Sequence, residues 1–422
     1  MNLWRNITVG NLGEIITGYT PPTKNTEFFG DKYPFITPTD ITMESRSVQT
    51  ERFLSQEGYE YNKNRLLAPN SVCVTCIASI GKICMTTVPS VTNQQINSIV
   101  VNQDQYDPYF VYYLLITKTD VIQSVANSAT TPIVNKSTFA SIHVCVPPLP
   151  EQTQIANFLD RKTGQIDELI RIKERQIELL QEQRTVLINQ AVTKGLDPHV
   201  EMKPSGVEWI GEIPRHWEVL RTKHVGSSNP SKNNIKTACL KDELVVFLPM
   251  ERVHTDGTID QELRLPYSQL KNGYTYFEEG DILIAKVTPC FENGKIIHIK
   301  NLATSVGFGS TEFIVIRPDL KKVFPPFLHY ILYNAPLRSI GKHFMTSAIG
   351  LKRVPTEFVE NFRIPIPTYQ EQQQIANFLS HKTKQIDELI AAEQQKIELL
   401  KEYRQSLISE AVTGKIDVRN EV

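Results

Sequence analysis

Two stretches of this chain alternate apolar and polar residues with a helical period over about forty positions, and they are near-copies of each other. In residues 151–193, Ile166, Ile170, Lys173, Ile177, Leu180, Arg184, Leu187 and Ala191 recur at alternating steps of four and three. In 371–413 the same steps carry Ile386, Ile390, Glu393, Ile397, Leu400, Arg404, Leu407 and Ala411, each 220 positions further on. About six in ten residues match across the two stretches. The spacing predicts a coiled-coil seam on each helix, widened by Leu169, Leu179 and Ile188 and by Leu389, Leu399 and Ile408. A proline-rich stop (VPPLPEQ, IPIPTYQEQ) precedes each helix and a glycine (Gly195, Gly414) follows it.

Each helix follows a stretch with the mixed patterning of a globular module, so the chain reads as module, helix, module, helix. The second module begins where the first helix ends and finishes where the second begins, so the helices can pair side by side only if antiparallel. Helices of about 30 residues at 1.5 Å rise make a rod of about 45 Å, and a pseudo-two-fold dumbbell results. If Ile166 opposes Ala411, then Arg184 meets Glu393, and Lys173 meets Arg404, a repulsive contact that turns both side chains outward.

Weaker matches tie the modules to each other. LAPNSVCVTCIASIGK parallels FEEGDILIAKVTPCFENGK, a turn, a strand and a loop ending in Gly-Lys (Gly81-Lys82, Gly294-Lys295). TNQQINSIVVN parallels GSTEFIVIRP, a turn entering an alternating strand; DPYFVYYLL parallels PPFLHYIL, a proline-started helix. Strands and helices mix without regular βαβ alternation, which predicts α+β modules with a curled, mainly antiparallel sheet. The expected divisions are a module over 1–150, a helix over 151–195, a module over 196–368 and a helix over 369–422.

A chain of 422 residues with 41 % hydrophobic and 22 % charged residues has the composition of an ordinary soluble protein. No apolar run approaches the roughly 20 residues of a membrane span and MNLWRNITVG lacks a signal-peptide pattern, so a cytoplasmic location is expected. Cys73, Cys76, Cys84, Cys145, Cys239 and Cys290 are scattered; the lone CxxC of Cys73 and Cys76 lies in an apolar run without a second ligand pair and reads as strand cysteines. There is no GxxxxGK[ST] phosphate loop, Asp107-Pro108-Tyr109-Phe110 lacks the second proline of an adenine-methyltransferase motif, and Gly307–Ser310 is too short for a cofactor loop. Pro318-Asp319 has no following acidic-x-Lys, and the nine histidines form no HxH or HxxxH pair. The chain is expected to catalyse nothing and to hold no metal or cofactor. Its net charge of −1 argues against nucleic-acid binding by bulk electrostatics alone.

What remains are polar loops on rigid scaffolds, where base-reading side chains are usually found. In module one these are Thr37, Thr39, Asp40, Ser79, Lys82, Asn93, Gln94, Gln95, Asn135 and Lys136. In module two they are Lys286, Thr288, Asn293, Lys295, Ser310, Thr311, Lys352 and Arg353. Asn and Gln can pair bidentately with adenine, and Lys can reach guanine or phosphate. Any one of them could equally be an ordinary solvated turn residue; as matched sets they carry more weight.

Over essentially its whole length the chain resembles the specificity subunits of type I restriction–modification systems. The resemblance rests on LGEIITGYTP, YPFITPTDI and TNQQINSI in module one and on SGVEWIGEIPRHWEV, GDILIAKVTPCFENGK, GFGSTEF and KRVPTEF in module two. The two PxxEQxxIANFL-to-AVT helices add to it. It implies two target recognition domains reading the halves of a split DNA site, and helices acting as spacer and docking surface. It further implies two modification subunits carrying S-adenosylmethionine, and two restriction subunits using ATP and Mg²⁺. The runner-up is an adaptor that scaffolds two protein partners and binds no double-stranded DNA.

Overall fold

The computed structural model describes residues 4–42, 45–126, 131–232, 243–254, 257–348 and 351–418; Cys239 lies outside them. The chain forms two compact units, 1–174 with 395–422 and 175–394. Both are α+β, and each takes half of each long helix.

The central sheets repeat one another strand for strand. In unit one the order is Gly13–Thr17, Ile96–Val101, Val72–Thr75, Ile83–Met85, antiparallel throughout. In unit two it is Gly226–Ser228, Phe313–Pro318, Ile282–Ala285, Ile296–His298, again antiparallel. A second sheet in each unit contains one parallel pair, Phe35-Ile36 with Val91-Thr92 in unit one and Val246–Leu248 with Gly307–Gly309 in unit two. GFGS is thus a strand: a Cβ on Gly307 would sit 2.2 Å from the Phe277 ring, so only glycine lets that ring close the core. The expected alternation in Ile96–Val101 is absent, because the strand is central and almost every residue is buried.

The long helices run Leu149–Lys194 and Tyr369–Val412, 46 and 44 residues, longer than the 30 expected. At 1.5 Å per residue that is about 69 and 66 Å. Pro150 does not stop the first helix; it sits in the opening turn, where the missing N–H has no partner to lose. The extra turns belong to the module cores, in which Ile155 and Leu159 join Val412 in unit one, and Ile188 and Val192 join Ile375 in unit two.

In each unit the two helix segments run antiparallel. Trp4 donates its indole N–H to Glu151 (3.3 Å) and its ring covers Gly414, while further along the pair Asp167 meets Arg404. In unit two Trp217 donates to Glu371 (3.2 Å) and covers Gly195, and Arg184 meets Asp387. Gly195 and Gly414 end their helices at positive φ (+77° and +69°), where a Cβ would also press on the indole ring. Buried Gln152 and Gln372 repeat a second contact. Each accepts from the backbone N–H that opens a short proline-started helix, Asp107 at 2.9 Å and Phe324 at 2.7 Å.

The partners of the two seam arginines differ from the expected ones. Arg404 binds Asp167 and Arg184 binds Asp387, in place of the Lys173 and Glu393 contacts. Asp167 and Asp387 stand one residue beyond the seam isoleucines, on the flank. A seam arginine is long enough to reach that flank, and it meets the aspartate there. Of the seam positions, Ile166, Ala191, Ile386, Ile397, Leu407 and Ala411 are buried, and Ile170, Lys173, Ile177, Leu180, Leu187, Ile390, Glu393 and Leu400 are half-buried. The expected widening holds only for Ile188 and Ile408. Leu169, Leu179, Leu389 and Leu399 are 46, 48, 53 and 55 % exposed, because the modules cover the opposite flank of each helix.

Candidate nucleic-acid interface

Three loops converge at one corner of each module, and backbone hydrogen bonds hold them there. In unit one Cys76 N–H donates to Gln95 O (2.7 Å) and Val134 N–H to Cys76 O (2.8 Å). In unit two Lys286 N–H donates to Glu312 O (2.8 Å) and Val354 N–H to Lys286 O (2.8 Å). The loop after the central strand, the turn entering its neighbour and the segment before the last short helix therefore meet identically. Ser79, Asn93, Gln94, Gln95, Asn135 and Lys136 belong to the first corner, and Lys286, Thr288, Asn293, Ser310, Thr311, Lys352 and Arg353 to the second. The side chains at matched positions differ: Cys76 against Lys286, Gln95 against Glu312, Ile133 against Arg353.

Several candidates are already engaged within the module. Lys82 donates to Pro38 O (3.2 Å) and Lys295 to Met250 O (2.9 Å), so both Gly-Lys ammonium groups brace the loop after the first strand of the second sheet. Asn135 caps the short helix by accepting from Thr138 N–H (2.8 Å). Asn93 accepts from Gln95 N–H (3.1 Å) and donates to the Gln95 side chain (3.0 Å); Gln94 pairs with Thr20. Thr288 accepts from Lys352 N–H (3.2 Å), and Ser310 from Glu312 N–H (3.2 Å). Ser79, Lys136, Asn293, Thr311 and Lys352 are exposed, while Lys286 is half-buried beside Glu312.

Two arginine–acid networks flank these corners. Arg52 donates to Thr39 (2.8 Å) and to both oxygens of Asp40 (2.9 and 3.0 Å) and also binds Thr37; Asp40 in turn accepts from Thr37 N–H (2.7 Å). Arg353 grips Glu312 through Nε and Nη2 (2.9 and 2.7 Å), which holds that carboxyl below its usual pKa. Arg52 carried no sequence signal: it lies outside every repeated motif and reaches the loop only through the fold. Asp167 and Asp387 did carry one, since QIDELI is retained in both copies.

No group of three or more His, Cys, Asp or Glu that could hold a metal occurs among the described residues. Cys73 and Cys84 face each other across paired strands, and burial pushes the Cys76 thiol up to about 11. No helix among the described residues is long and apolar enough to cross a membrane.

A duplicated α+β scaffold that presents two matched but differently furnished loop clusters, joined by long helices, defines a recognition protein. Residues 1–181 and 214–399 match the type I restriction modification DNA specificity domain, and the chain belongs to that family. It is 36 % identical over 229 residues to the Type I restriction enzyme EcoEI specificity subunit of Escherichia coli, covering 53 % of this chain and 36 % of that one. The MjaVIII specificity subunit of Methanocaldococcus jannaschii is 26 % identical over 99 % of this chain and 94 % of its own. The match spans about a third of the length of the EcoEI and EcoAI subunits of Escherichia coli. Two solved folds are similar. One is a chain from a structure of complex assembly and conformational transition of the type I R-M system (TM-score 0.69, 16 % identity, 97 % of both chains). The other is the HsdS subunit from Thermoanaerobacter tengcongensis (TM-score 0.52, 17 % identity, 98 and 97 %).

Proposed function

We propose that this chain reads a bipartite, asymmetric DNA site for a type I restriction–modification complex, one half-site per module, and takes no chemical step itself. The carrying observation is the pair of equivalent loop corners, built on one backbone plan and furnished with different side chains. One plan gives the two modules the same way of presenting loops to a groove, and divergent side chains give them different bases to read. Lys136, Lys286 and Lys352 supply phosphate or guanine contacts at the corners, and Gln94, Gln95 and Asn293 supply amides. Arg52 and Arg353 stiffen the loops around them.

The helices serve as the docking surface for two modification subunits, which bring S-adenosylmethionine; restriction subunits bring ATP and Mg²⁺. Leu169 and Leu179 are identical to Leu389 and Leu399, yet all four are about half exposed. Internal packing does not require an exposed leucine to stay the same in both copies, whereas two copies of one partner do. These leucines, rather than the buried seam, are the contact residues.

The test is an exchange of residues 1–150 for the corresponding module of a relative, followed by mapping of methylated adenines in the host. One half-site should change and the other persist. A swap that alters both halves, or a complex that shifts no duplex in a gel at stated salt, ends this reading in favour of the protein-only adaptor.

A further inference from the structure

Both units are hollow where the proline-started helix and the long helix meet the central sheet, and the two hollows share a frame. They measure about 480 Å³ in unit one and about 500 Å³ in unit two. Each is edged by an arginine–aspartate pair, Arg404 with Asp167 and Arg184 with Asp387. Each also has a tyrosine–threonine hydroxyl contact, Tyr113 with Thr163 (3.1 Å) and Tyr330 with Thr383 (3.4 Å).

Their charge differs. The first hollow contains its own second acid: Asp160 accepts from Tyr113 Oη (2.7 Å) and pairs with Arg46, so two acids face two arginines. At the matching position the second hollow has Ser380. Where unit one places Met85, Thr87 and Tyr112, unit two places His298, Lys300 and His329. Among the described residues that line it, Asp387 is the one acid set against Arg184 and Lys300. Outside the hollow's lining, Arg338 shares the Tyr333 ring with Arg184 (5.5 and 5.2 Å). His329 donates Nε2–H to Ile296 O (3.1 Å), but His298 Nδ1 is buried without a hydrogen-bond partner. Burial, helped by Lys300, keeps both imidazoles neutral, with pKa values near 3 and 4. A neutral imidazole can carry its proton on Nδ1 and donate it, and here the protein supplies no acceptor. Among the described residues, two cations against one acid and an unpartnered imidazole nitrogen leave room for a further carboxylate.

We propose that the hollow of unit two binds a carboxylate supplied in trans by the modification subunit docked on the adjoining helix, held by Arg184, Lys300 and His298. The sister hollow shows the group that is missing, because its Asp160 fills the role in cis. The source of the carboxylate rests on the docking reading; the site itself does not.

The test follows the imidazole resonances of His298 and His329, assigned with H298Q and H329Q, in the full chain as acetate replaces chloride at constant ionic strength. Acetate should shift both resonances saturably and raise both pKa values. K300M should raise the half-saturating acetate concentration about tenfold. Ser380→Asp should reproduce the shift without acetate, abolish the acetate response and raise the thermal midpoint. Adding modification subunit without DNA should give the same shift as acetate. Resonances indifferent to both acetate and S380D overturn the site. A shift produced by duplex DNA but not by the modification subunit overturns the trans carboxylate and makes the ligand a phosphate. None of these readouts depends on sequence reading, so they can fail or succeed apart from the function proposed above.

Discussion

The two arginine–aspartate contacts between the helix segments are chemically identical, yet they should not be equally strong. Arg404 reaches Asp167 with two hydrogen bonds, Nε at 2.8 Å and Nη2 at 3.2 Å, and its side chain is only 19 % exposed. Arg184 reaches Asp387 by one ion-pair contact, Nε to Oδ1 at 3.1 Å, too poorly aligned to count as a hydrogen bond, and that aspartate is 53 % exposed. Exposed single contacts contribute about 0–1 kcal/mol, and bidentate, partly desolvated ones more. A double-mutant cycle with Arg404→Met and Asp167→Asn should give a coupling of about 1–2 kcal/mol; Arg184→Met with Asp387→Asn should give about 0.5 kcal/mol or less. Each chain would be unfolded in urea at pH 7.5, monitoring Trp4 for unit one and Trp217 for unit two, which single-tryptophan variants separate. The Arg184 single mutant should still be costly, because it also leaves Tyr333 without one of its two covering guanidiniums. Equal couplings would refute the argument from geometry, and coupling between 184 and 393 in place of 387 would restore the register read from the sequence.

Other outcomes follow from the same structure. Leu179→Asp with Leu399→Asp should weaken assembly with modification subunits about tenfold per site while leaving urea midpoints nearly unchanged, as measured by co-purification and titration. His329 has a folded pKa near 4 against about 6.5 unfolded, so its neutral form contributes stability above pH 6.5 that is lost as pH falls toward 4, by up to about 3 kcal/mol. H329Q, which keeps a donor for Ile296 O, should flatten that acid limb in urea titrations at pH 7.5 and 4.5; an unaltered slope would contradict the burial argument. Four residues, about one helical turn, inserted into both long helices should lengthen the spacer between half-sites by one or two base pairs; an unchanged methylation pattern would refute the ruler idea.

The duplicated helices, their antiparallel pairing and the α+β character of the modules were legible because they follow from period and connectivity. The flank of each helix that faces water was not. Leu169 flanks the seam stripe just as Ile188 does, and only packing such as that of Asp160 and Thr163 against Tyr113 decides which side the module covers. The arginine partners were missed for a related reason: a heptad reading weighs only in-seam partners, and an arginine is long enough to choose a flanking one. The loop corners were found as sets, but Lys82, Lys295 and Asn135 could not be told from free contact residues. Bracing a carbonyl or capping a helix uses the same side chains in the same turns. The hollow of unit two was invisible, since His298, His329 and Ser380 come together from three separate segments.

Residues 395–422 have a consequence for how the protein is made. They complete the core of unit one, where Leu407, Ile408, Ala411 and Val412 pack with Val9, Leu12 and Phe110. Unit two is a single uninterrupted stretch, 175–394. On the ribosome, therefore, the module synthesised second has its whole sequence before the module synthesised first does. Residues 4–174 must wait more than two hundred residues for their closing helix, holding apolar strands without a lid and bridging a long loop when it arrives. A frameshift after position 394 would remove Leu407, Ile408, Ala411 and Val412 from the core of the first module and leave the sequence of the second intact. Early chaperone contacts should accordingly concentrate on the N-terminal strands, and a damaged 3′ end of the coding sequence should announce itself as misfolding at the opposite end of the chain.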